Sequence, residues 1–158
     1  MDMDMTIRIE DNSKKVLQEF EKQKDRALYL MGTDALGGKD GRGGAIGAIT
    51  GNLGIDKAVD TGRLRASLSF ITEHGNMTET PSNMSAFVNK EVPESKPDDK
   101  LSGTAEQSTV IVGSNVEYAE YVHNGTSKME ARPFLREGID NATLDMKRRV
   151  EKIFKGEL

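Results

Sequence analysis

Apolar and polar side chains alternate from residue 5 to 10. Met5, Ile7 and Ile9 fall on one side and Thr6, Arg8 and Glu10 on the other, which predicts a short half-buried strand. The period then changes. Asp11, Asn12 and Ser13 are each suited to cap a helix. After them Val16, Leu17, Phe20, Ala27, Leu28, Met31 and Ala35 recur at three-to-four spacing, predicting a helix over 13–35 with Lys14, Glu21, Lys22 and Asp25 toward solvent. Near the other end, Leu135, Ile139, Ala142, Met146, Val150 and Ile153 step by 4, 3, 4, 4 and 3. With Pro133 at a first helical position, they predict a second long helix over 133–155. Gly138 lies inside it, at a cost of roughly 1 kcal/mol against alanine.

Between these helices the pattern is broken. Residues 37–54 hold eight of the sixteen glycines, and each glycine loses extra backbone entropy on ordering. A mobile loop over 37–57 is the expectation. Asp60 or Thr61 caps a single helical turn, after which Leu68, Phe70 and Thr72 begin a strand. Residues 75–105 are polar and carry Pro81, Pro93 and Pro97, the composition of a long, partly disordered excursion. The strand pattern resumes at Ser108–Gly113, so 67–73 and 107–113 are expected to pair as arms of one extended hairpin. Val116, Ala119 and Val122 then mark two helical turns closed by Asn124-Gly125. The order predicts a single α+β domain: a small antiparallel sheet with a long N-terminal and a long C-terminal helix packed on one face, and long loops.

Composition narrows the chemistry. The 158 residues suit one domain, and hydrophobic residues make up only 35%, so the core is modest. The net charge of −4 is unlike that of a dedicated nucleic-acid binder, which needs a basic surface to displace phosphate counterions. With no cysteine, disulfides, thiolate metal sites and a cysteine nucleophile are excluded. No apolar run approaches the length that spans a bilayer, and Met1–Met5 lacks the features of a signal peptide.

The glycine stretch lacks G-x-x-x-x-G-K-[ST] and follows a helix, so a phosphate-cradling loop is not expected. His123, with Glu117 or Glu120 to orient it, has the parts of a general base, but no nucleophile stands out nearby. Glu94 and Asp98-Asp99 read as solvated charges. Lys147-Arg148-Arg149 complement a helix dipole. Arg63 and Arg65 suit either surface charge or pairing with carboxylates across a subunit boundary. No cofactor or metal is expected.

Two longer stretches are more specific. Asp60-Thr61-Gly62-Arg63-Leu64-Arg65-Ala66-Ser67 resembles the D-T-G-x-L-x-x-S signature of the tail-completion family of neck proteins in long-tailed bacteriophages. Val112-Gly113, then Tyr118-Ala119-Glu120-Tyr121-Val122 and Gly125-Thr126, is similar to that family's second block. Ala131-Arg132-Pro133-Phe134-Leu135 matches its P-F-L before a terminal helix. His123 stands where relatives often carry Glu.

The resemblance implies structural work: a virion protein, assembled in the host cytoplasm into a ring with copies of itself, commonly a hexamer. That ring would lie between a head connector or stopper protein and a tail tube or tail terminator protein. DNA would only pass through the lumen, and no membrane is involved. A negative surface suits such passage. The resemblance also implies interface roles for Asp60, Thr61, Gly62, Arg63, Arg65, Tyr118, Tyr121, His123, Gly125, Thr126, Pro133 and Phe134. Two other readings compete: a small hydrolase or nuclease built on His123, and a monomeric adaptor that binds a host protein through its loops.

Overall fold

Ser13 begins the first helix, α1 (Ser13–Leu36), in a computed structural model that describes residues 11–38, 43–50, 63–78 and 97–158. The strand expected at 5–10 lies outside those residues. At the helix start the Ser13 N–H donates to Asp11 Oδ1 at 2.9 Å, and the Val16 N–H reaches Asn12 O at 3.1 Å. At its end the N–H groups of Gly37 and Gly38 both donate to Thr33 O. Two elements follow: α2 (Gly44–Thr50) and α3 (Arg63–Ser67). Next come strands β1 (Ser69–Thr72), β2 (Gly75–Asn76) and β3 (Ile111–Gly113), with a single 3-10 turn at Pro97–Asp99 before β3. The short α4 (Ala119–Asn124) and the long α5 (Phe134–Phe154) complete the chain. Among the described residues, no helix is long and apolar enough to cross a membrane.

The sheet is antiparallel in the order β2-β1-β3. Ser69 faces Gly113, Phe70 faces Val112 and Ile71 faces Ile111, which is the pairing expected of the two hairpin arms. All four residues of β1 are buried. The α1 helix covers the sheet: a side chain at Gly32 would overlap the Phe70 ring, and Tyr29 meets Phe70 edge-on at 5.9 Å. The α5 helix packs along α1 and α2. The α+β architecture with two long helices is therefore present.

The glycine stretch departs from its expectation. Instead of a loop throughout, residues 44–50 form α2, and Ala45, Ala48 and Ile49 have no exposed surface at all. They join Leu64, Phe70, Val116 and Phe134 in the main core cluster. Small residues let α2 approach α5 closely: a Cβ on Gly138 would overlap the Gly44 carbonyl and the Ala45 nitrogen. Gly138 thus gives up helix propensity for contact between two backbones.

The polar excursion also differs at both ends. Gly75 and Asn76 turn straight back along β1. Residues from Pro97 onward return to it: the Leu101 N–H donates to Ser69 Oγ at 2.8 Å, and the Ala105 N–H to Thr72 O at 2.9 Å. The span 79–96 lies outside the described residues.

Candidate subunit interface

The described part of the first motif block, distant in sequence from the other two, meets them in one place. Within the first, Leu64 and Ser67 face inward, and Ser67 is fully buried. A buried hydroxyl needs partners, and Ser67 finds them in a short relay. Its hydroxyl donates to Leu64 O at 2.7 Å, leaving its oxygen to accept from the Ser114 hydroxyl at 2.6 Å. Ser114 Oγ in turn accepts the Val116 N–H at 3.1 Å. The first block is thereby tied to the second.

Arg63 adds a second tie. It grips Asp99 through two hydrogen bonds and reaches Glu117 Oε2 at 3.4 Å. Bonding to Asp99, foremost, holds the guanidinium pKa above its ordinary value. Asp99, expected as a solvated charge, is only 4% exposed. Its neighbour Asp98 is exposed.

The second and third blocks are joined by a tight turn. Gly125 has a φ of +76°, and a side chain there would press on Met129 O and the Ala131 nitrogen, so glycine is required. Thr126 and Met129 exchange backbone hydrogen bonds across the turn. The Arg132 N–H then donates to Val122 O at 2.9 Å, which delivers Phe134 into the core beside Leu64 and Val116.

The expected interface residues separate by depth. Phe134 and Arg65 lie inside the protomer, and burial pulls the Arg65 guanidinium pKa down from its ordinary value. Tyr118 and Pro133 are half-buried, Tyr118 against the main core. Gly125 holds its turn. Tyr121 and Thr126 are exposed and Arg63 is partly so. Asp60, Thr61 and Gly62 lie outside the described residues.

His123 is half-buried, its ring edge-on to Phe134 at 5.3 Å. Burial first, and the charge of Arg136 second, lower its pKa from 6.5. Its Nδ1 is shut off from solvent without a hydrogen bond. Of its two candidate orienting carboxylates, Glu117 is turned to Arg63 and Glu120 is exposed.

Two features had no signal in the sequence. Arg149, expected as a dipole-complementing charge, pairs with the buried Asp34 on α1. The first turns of α1 carry Val16, Leu17 and Phe20 more than half exposed, with the Phe20 ring 5.9 Å from the exposed Phe154 ring.

No family model, no curated protein and no solved structure matches this chain.

Proposed function

We propose that this chain is a structural subunit of the neck of a long-tailed bacteriophage. It assembles with copies of itself into a ring between the head connector or stopper and the tail, with DNA passing through the lumen and no bond-making step. What supports the reading is the convergence of the three motif blocks on one packed unit. Leu64, Ser67, Ser114, Gly125 and Phe134 each meet a packing or turn requirement there. Residues in such roles serve a shape, and shape is what a ring subunit supplies. The exposed Tyr121, Thr126, Val16, Leu17 and Phe20 offer apolar and polar surface to neighbours.

The test is electron microscopy and mass spectrometry of purified virions. The expected result is this chain in the particles, as a symmetric ring at the head–tail junction. Its absence from infectious particles overturns the proposal.

A further inference from the structure

Asp25 on α1 and Glu73 and His74 in the turn between β1 and β2 place one ligand atom each within 4.8 Å of one another. His74 Nε2 is 3.1 Å from Asp25 Oδ1, and Glu73 Oε1 is 2.9 Å from Lys24 Nζ. Both carboxylate oxygens are closed to solvent, and each faces a nitrogen, Lys24 Nζ at Glu73 and the His74 imidazole at Asp25. Two carboxylate oxygens and an imidazole nitrogen converging on one point form a donor set that a metal ion can bind. The two elements already pack together, so the constellation is preformed.

We propose that Asp25, Glu73 and His74 bind a divalent transition-metal ion of the zinc type, fastening the β1–β2 turn to α1. One imidazole and two carboxylates suit zinc, nickel or cobalt better than magnesium or calcium, which favour oxygen alone. Tetrahedral zinc, with bonds of ~2.1 Å, sets its ligands ~3.4 Å apart, so small side-chain rotations close the cluster. Three protein ligands leave a fourth position for water. Lys24 competes for Glu73 and must swing out when the metal binds. This site is independent of the neck reading, and its failure would leave that reading untouched.

Isothermal titration with zinc chloride and thermal unfolding with and without zinc test it, on the full chain free of any affinity tag. The expected result is one saturable site and a higher melting temperature with zinc, with little effect from magnesium. His74→Ala, at an exposed position that leaves folding intact by circular dichroism, weakens binding at least about tenfold. Lys24→Met removes the competing cation and tightens it. An absence of saturable binding in the wild type, equal binding in His74→Ala, or weaker binding in Lys24→Met each overturns the proposal.

Discussion

Arg63 and Asp99 stand 36 positions apart and meet in a two-pronged pair, Nε to Oδ2 at 2.9 Å and Nη2 to Oδ1 at 2.5 Å. The planar guanidinium matches both carboxylate oxygens, which an ammonium cannot do. Asp99 is deep enough that losing this cation exposes the cost of its burial. Arg63→Lys should lower the melting temperature and Arg63→Ala should lower it further, as followed by circular dichroism. Wild-type melting in both variants would show that the pair contributes nothing.

Gly138→Ala sets two effects against each other. Alanine gains roughly 1 kcal/mol of helix propensity, but its Cβ collides with the backbone of Gly44 and Ala45. Overpacking of this kind costs about 1–3 kcal/mol, and backbone on both sides leaves no side chain to yield. Urea denaturation should therefore show a destabilised variant. A stabilised one would mean that α2 and α5 are not in contact.

Ile49→Ala probes whether α2 belongs to the core. Ile49 has no exposed surface, and truncating a buried isoleucine typically costs about 2–5 kcal/mol. A side chain in a mobile loop would cost almost nothing. The midpoint of urea unfolding distinguishes the two.

That contrast shows where the sequence was legible. The long helices announced themselves through sustained three-to-four spacing, and their ends fall within a residue of those expected. The β1–β3 pairing followed from two apolar runs. The α2 helix gave no such signal, because it is buried on every side and so has no polar face to set a period. Its glycines suggested entropy loss, whereas Gly44, at a φ of +53°, lets the start of α2 press against the Asp34 and Ala35 carbonyls of α1. For Asp99 and Asp34 nothing local marks a partner in a distant helix or turn. Within the motif blocks, Phe134 and Arg65 carried an interface expectation although they lie inside the protomer. Sequence motifs record residue type without depth.

His123 gives a pH prediction. Its folded pKa is depressed, so the native state binds fewer protons than the unfolded chain. The stability associated with it is complete above 6.5 and falls as pH drops through 6.5 toward the folded value. Nuclear magnetic resonance should show His123 titrating below 6.5, and Arg136→Ala should raise that midpoint. An unchanged midpoint in the variant would remove the charge of Arg136 as a cause.

Asp34 runs the other way. Burial raises its pKa more than the Arg149 charge lowers it, so its ionised form is disfavoured in the folded chain. Its contribution becomes more favourable as pH falls from neutral through the folded pKa toward 3.8. Asp34→Asn should flatten stability across that window, measured as urea midpoints against pH. An unaltered slope would place the titration elsewhere.

The central strand has a further consequence. Both ends of the connection between β2 and β3 are pinned to it or to its neighbour: Asn76 Nδ2 donates to Leu101 O, and the Leu101 N–H donates to Ser69 Oγ. Strand alignment is thus set by anchors flanking the departure and return points, independent of how many residues lie between them. Closure entropy grows slowly, by about 0.6 kcal/mol for each doubling of a flexible loop. The pairing of Phe70 with Val112 is accordingly insulated from changes of length between these anchors.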